Sequence, residues 1–271
     1  MSTDVTSTPA TPATPATRRP SGLDVPRPSA ARLVAVELRK AVDTTTGRWL
    51  LAVTGVLVVG ALVLGSLFEP GEDDPSLQFL LANGLLPVSL LVPVLGVLLM
   101  SGEFSTRSVL TTFALVPSRG RVVAAKTVAA VLLALGFALL TGVLAVATAG
   151  VLDVLVGDVV WTMAWQVPLQ LLVLQVVYVL VGVGIGLLCQ NTPLAVVVYL
   201  VVPSLLAPVV FLVPALQDVG PWVDLATGTM ALQMDTVLSG RQWAQVASVT
   251  GIWAVVPFAV GWLRLQRREI A

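Results

Sequence analysis

Apolar residues in this chain come in six long blocks, not in the half-buried stripes of a water-soluble core. The blocks run over 49–68, 77–100, 127–151, 167–189, 194–216 and 244–263. Each is long enough for a helix to cross a hydrocarbon core, which takes about 20 residues. Polar punctuation marks some of the ends. Ser76, after Pro75, is placed to cap the second helix, and Thr192 with Pro193 reads as the N-cap and first-turn pair of the fifth. Around Gln190 and Asn191 the fourth and fifth blocks nearly touch. A tight turn is expected there, with one re-entrant hairpin as the alternative. The expected fold is an all-α integral membrane protein of six transmembrane helices.

The remaining segments differ from one another. Residues 1–30 are rich in Thr, Pro, Ala and Ser and carry a TPATPAT repeat without any apolar run. Such a segment cannot bury enough surface to fold, so it is expected to be a disordered arm. The folded unit is then 31–271. No apolar stretch of the kind found in a signal peptide precedes Trp49, which makes the first block a retained anchor. Just before it, residues 31–43 place Val34, Leu38, Ala41 and Val42 on one side of a helical wheel, with Arg32, Arg39 and Asp43 opposite. An amphipathic helix of this kind leading into a span belongs in the headgroup plane. It serves either as a plain juxtamembrane anchor or as an elbow that also touches a cytosolic partner. In the long loop over 216–243, Met230, Met234 and Val237 recur at helical spacing and predict an interfacial helix.

Composition agrees with the blocks. The chain is 56% hydrophobic and 11% charged, with a mean hydropathy of +0.94, whereas soluble domains carry roughly 25% charged residues. Six spans put both termini on one side. That side then holds every one of the 15 basic residues except Arg241. By the positive-inside rule the termini are cytoplasmic, in the inner cell membrane.

One polar island stands out. Residues 98–126, LLMSGEFSTRSVLTTFALVPSRGRVVAAK, carry Glu103, Arg107, Arg119, Arg121 and Lys126 around Pro117. A short cytoplasmic helix over 105–115 is expected, stopped ahead of the proline, with Leu110, Phe113 and Ala114 as its apolar face. Ser118 is placed to cap the third span. The basic residues are cheaply explained as topology determinants. Glu103 is not, because a carboxylate at the mouth of a span has no topogenic value. It is expected to pair with a nearby arginine or to contact a partner.

Catalytic chemistry has little to work with. The chain has no histidine and one cysteine, Cys189, which rules out an intrachain disulfide and removes the commonest general base and metal ligand; no metal site is expected. No ionisable residue lies within the six blocks. A proton-coupled carrier is thereby disfavoured, and so is a membrane enzyme. The blocks do contain Asn83, Ser89, Gln170, Gln175, Tyr178, Tyr199 and Ser204, and the helix-perturbing Pro87, Pro93 and Pro203. These line a path for a bulky substrate or glue helices together through hydrogen bonds. There is no G-x-x-x-x-G-K-[ST] loop for a nucleotide.

These residues together carry a resemblance. Six spans, an elbow-like helix containing VELRK, and GEFSTRSVLTTFALVPSRGRVVAAK between the second and third spans resemble the permease subunits of the ABC type-2 exporter family. That family closes its second span with a Gly-Glu pair, here Gly102 and Glu103, and follows it with a Thr-rich turn, here Thr111 and Thr112. A Pro-x-x-Arg-x-x-x-x-x-Lys pattern then opens the third span. Here Pro117 and Lys126 match, while Gly120 stands where the arginine falls, flanked by Arg119 and Arg121. The resemblance spans residues 32–271. It implies a second permease, the same chain or a related one, and a cytosolic ABC ATPase that binds ATP and Mg. The ATPase would couple through Glu103, Arg107, Phe113, Arg119, Arg121, Arg39 and Lys40. It also implies a substrate path along the permease interface, with Asn83, Ser89, Tyr199 and Phe211 as candidates, and contact with membrane lipid. No nucleic acid and no bound cofactor are expected. The alternative is a non-transporting immunity, assembly or sensor subunit on the same fold.

Overall fold

The structure is a computed structural model that describes residues 29–67, 76–105, 118–157, 159–234 and 236–267. Of these residues 88% are helical and none forms a strand. The long helices are α1 (Ala30–Asp43), α2 (Thr45–Leu67), α3 (Leu77–Ser105), α4 (Arg119–Leu155), α5 (Gln166–Cys189) and α6 (Thr192–Leu212). Two short helices follow, α7 (Gly220–Val223) and α8 (Leu225–Thr229). The last long rod is α9 (Gly240–Thr250), a π-helical turn at Gly251–Val255, and α10 (Val256–Arg267). Counting that rod as one, six helices are long and apolar enough to cross a membrane. This is consistent with a multi-pass membrane protein. Residues 1–28 of the arm expected over 1–30 and all but Ser105 of the helix expected over 105–115, with Arg107 and Phe113, lie outside the described residues.

The bundle is organised around α3 and α5. In each of them 67% of the apolar window is buried, against 17% for α2 and α6. Glycine explains how the two helices come so close. A Cβ on Gly182 would collide with the Pro93 carbonyl oxygen, and one on Gly186 would lie 3.0 Å from the Val97 backbone. Gly182 and Gly186 share one face of α5, one turn apart, so the α3 backbone settles directly onto it. Wholly buried Val88, Val97, Val179 and Leu187 fill the seam. In lipid, where apolar surface gains nothing by leaving the solvent, this close van der Waals packing is what associates helices.

Several helix ends differ from the apolar blocks. Helix α4 starts at Arg119, well before the block at 127, because hydropathy marks only the apolar part of the helix, which continues into a charged first turn. Ser118 is its N-cap by position but makes no side-chain cap bond. Ser76 does cap α3, its Oγ accepting from the Phe79 N–H at 3.2 Å. The fifth span is capped by Asn191 instead of Thr192: its side chain accepts from the Leu194 N–H at 3.0 Å, which moves Pro193 to the second position. That span ends at Leu212, just ahead of Pro214. Gln190 adopts a left-handed φ of 50°, and this reverses the chain between α5 and α6 as a tight turn.

The predicted helix through Met230, Met234 and Val237 does not form. A 3₁₀ turn at Met230–Gln233 ends at Met234, which has an extended ψ of 151°, and Met230, Met234 and Val237 are all exposed. The residues turned inward are instead Leu225, Thr229, Leu232 and Leu238. The Trp222 and Val223 carbonyls accept from Ser248 Oγ and Trp253 Nε1, both at 2.8 Å, and these bonds fold the loop back against the last rod.

Candidate functional site

Four charged side chains meet where α1 lies against the bundle. Helix α1 is capped by Ser29, whose Oγ accepts from the Arg32 N–H. Its inward face is Val34, Glu37, Leu38 and Ala41, with Glu37 and Ala41 buried. Val42, expected on that face, is exposed instead. The chain then turns sharply into α2. The Gly47 N–H donates to Thr44 Oγ1 at 3.2 Å, and a Cβ at Gly47 would overlap the Ala41 carbonyl oxygen. Only glycine permits this corner.

Glu37 sits at the centre of the cluster. One of its carboxylate oxygens accepts from Lys40 Nζ and the other from Lys126 Nζ, each at 2.8 Å. Glu103 Oε1 accepts from the same two ammonium groups, at 2.7 Å from Lys40 and 3.1 Å from Lys126. The ring therefore joins α1, the end of α3 and the start of α4. Glu103 thus pairs with two lysines. The Glu37 and Lys126 side chains are each 6% exposed, Glu103 14% and Lys40 41%. Burial on its own lowers the Lys40 pKa. Hydrogen bonds to Glu103 and Glu37, with their charges, outweigh burial and hold the ammonium above the usual lysine range.

A cavity of about 600 Å³ opens beside this ring, lined by Lys40, Thr44, Thr46 and Gly47 on one side and Leu95, Leu98 and Leu99 on the other. At its edge, Thr192 Oγ1 lies 2.9 Å from both Ser101 Oγ and Ser105 Oγ, and the Thr192 N–H donates to Ser105 Oγ at 3.0 Å. These bonds fasten the end of α3 to the start of α6. On the other side Arg119 Nη1 donates to the Leu265 carbonyl, and Trp262 packs over Gly120. Arg119 thus ties α4 to α10.

The remaining coupling candidates are dispersed. Arg39 is exposed and faces Asp43 at 4.0 Å on its own helix. Arg121 is half-buried in the first turn of α4. Glu37 and Lys126, which are central to the ring, were not among the candidates. Glu37 had a signal in the sequence, since it falls in the middle of the stripe formed by Val34, Leu38 and Ala41, where an acid must find a cation or stay exposed.

Of the path candidates, only Ser89 and Tyr199 come together. Pro93 has no N–H to give the Ser89 carbonyl four residues earlier. The Tyr199 hydroxyl donates to that carbonyl at 3.0 Å, reaching across from α6. From α5, Gln175 Nε2 donates to Ser89 Oγ at 2.8 Å, and Ser89 Oγ donates to the Leu85 carbonyl. A small cavity of about 190 Å³ adjoins them, lined also by Tyr178 and Ser204. Asn83 bonds its own helix at the Phe79 carbonyl and packs near Gly65 of α2, and Phe211 is exposed at the end of α6. Neither shares the cavity.

Comparison with known protein families found no matching family, and no curated protein matches the chain.

Proposed function

We propose that the chain is the permease subunit of an ATP-driven exporter of the ABC type-2 kind, working with a separate cytosolic ATPase and a second permease. Its termini lie in the cytosol, and α1 is the elbow helix at the inner face. One observation supports this reading above the others: the ring of Glu37, Lys40, Glu103 and Lys126 binds α1 to the two helix ends, Ser105 and Ser118, that flank the polar island. A protein without a nucleotide loop needs a rigid grip through which another chain can act. Force on the island or on α1 reaches α3 and α4 through charge-assisted bonds, the strongest class available to side chains. The helices then move as bodies between two arrangements, as in hinge and shear transitions. The transported molecule would pass along the surfaces of α3 and α6 near Ser89 and Tyr199.

The test is purification of the full chain from its own membrane in mild detergent. An ATPase is expected to co-purify, with hydrolysis stimulated by the permease and reduced by Glu103→Gln at unchanged membrane insertion. If no ATPase is captured, or if hydrolysis proceeds equally without this chain, the proposal fails.

A further inference from the structure

The cavity beside the charge ring has two chemistries and sits where a membrane changes from one to the other. Its volume of about 600 Å³ lies inside the roughly 300–1,000 Å³ range of pockets that hold small ligands. Leu95, Leu98 and Leu99 form one wall; they lie three and four residues apart and so share a face of α3. The opposite wall carries the Lys40 ammonium and the Thr44 and Thr46 hydroxyls.

The four charges of the ring sum to zero, yet they are presented unequally. Glu37, Glu103 and Lys126 also line the cavity, each with its charge held inside the ring and little exposed, while Lys40 alone of the four reaches well into solvent. The most accessible charge lining the cavity is therefore a cation. An ammonium has three N–H donors, and Lys40 places two of them, on Glu37 and Glu103. The third remains for a ligand. Thr44 Oγ1 accepts from Gly47, which leaves its hydrogen to donate. One cationic donor and two hydroxyls around a mouth are acceptor-seeking chemistry, and a strip of leucine behind them is chain-seeking chemistry.

We infer that this cavity holds a phospholipid, with its phosphate at Lys40, Thr44 and Thr46 and the upper part of an acyl chain along Leu95, Leu98 and Leu99. The inference rests on the reading that the long helices cross a bilayer with α1 at headgroup depth; it does not depend on any ATPase. The bound lipid would touch α1, α2 and α3 at once, so it would hold α1 down on the bundle and make that docking depend on the lipid present.

Delipidated full-length protein in mild detergent, titrated with dioleoyl-phosphatidylglycerol and followed by native mass spectrometry and thermal unfolding, tests this. Dioleoylglycerol supplies the same chains without phosphate, and inorganic phosphate supplies the anion without chains. One phosphatidylglycerol per chain is expected to bind at least about tenfold more tightly than dioleoylglycerol and to raise the unfolding temperature. Lys40→Gln should reduce its binding to the dioleoylglycerol level. Leu98→Trp fills the cavity from its apolar wall without touching a charge and should abolish retention at unchanged lipid-free stability. Equal binding of the two lipids, undiminished binding to Leu98→Trp, or stabilisation by inorganic phosphate as large as by the lipid would each overturn the inference. A chain that binds the lipid yet stimulates no ATPase would leave it standing and remove the export reading alone.

Discussion

The two polar knots of this bundle are built from different chemistry. At the α1 end, four full charges are shut into a ring of Glu37, Lys40, Glu103 and Lys126. Farther along α3, Ser89, Gln175 and Tyr199 meet with no charge among them. On the proposed reading, in which the long helices cross a bilayer, depth accounts for the difference. Deep in a bilayer a charge is costly, and the deficit there is only a proline-freed carbonyl, which one neutral hydroxyl satisfies. Near the end of the helices, one lysine of the ring can stay in water while its partners are buried. The ring therefore can afford charge, and charge makes it stiff. Its weakness follows from the same fact: removing one member leaves two like charges sharing one opposite charge, with the excess largely buried.

That asymmetry predicts a ladder of effects. Lys126→Met comes first, because it withdraws the best-buried cation from two carboxylates at once. Removing one partner from a buried ion pair costs about 3–5 kcal/mol, so unfolding in detergent should begin far earlier, or the protein should fail to accumulate. Adding Glu37→Gln to that variant should restore part of the loss, as coupled residues do in a double-mutant cycle. Purely additive losses would show that the ring is not one unit. Glu103→Gln comes next, at about 1–3 kcal/mol, since Lys126 keeps Glu37 as its partner. Denaturant titration of the two single variants side by side gives the order.

The neutral knot should break more gently. Tyr199→Phe loses one interhelical hydrogen bond, which in membrane proteins averages about 0.6 kcal/mol, and its unfolding midpoint should move little. A loss as large as that of Glu103→Gln would abolish the distinction between the knots. The smallest effect is that of pH. Lys40 is held above the usual 10.5 in the folded chain. A group so shifted favours the folded state below its unfolded value, and that contribution disappears as pH rises through the folded one. Stability should therefore stay level from neutral pH to about 10 in this respect and fall above it. Lys40→Met should lose that part of the fall; an unchanged alkaline limb in the variant would trace it to other groups.

The six long helices were legible because twenty apolar residues in a row leave few other structures open. Their ends were less so. Block boundaries track apolar content, whereas α4 is extended by Arg119, Arg121 and Lys126, charged residues that form helix perfectly well. The cap at Asn191 was displaced by one residue because both Asn191 and Thr192 are good caps and only geometry chooses between them. Glu103 was legible as a residue that needed a partner. The identity of its partners was not, because Lys40 and Lys126 lie 63 and 23 residues away along the chain; the folding-back of α1 at Gly47 delivers the first, and the packing of α4 on α3 the second. The pairing of Ser89 with Tyr199 was half visible: Pro93 announces an unpaired carbonyl at Ser89, and nothing in the sequence says which hydroxyl across the bundle will find it.

The fastening of Ser105 to Thr192 and of Arg119 to Leu265 has a mechanical meaning. Ser105 closes α3 and Arg119 opens α4, and neither of these two anchors rests on one helix alone. One is mortised to α6 and the other to α10, with the charge ring set between them as a keystone. A load applied at these two anchors is therefore shared by α3, α4, α6 and α10 together, and α2 follows through its own packing on α3, where Leu62 lies against Gly84.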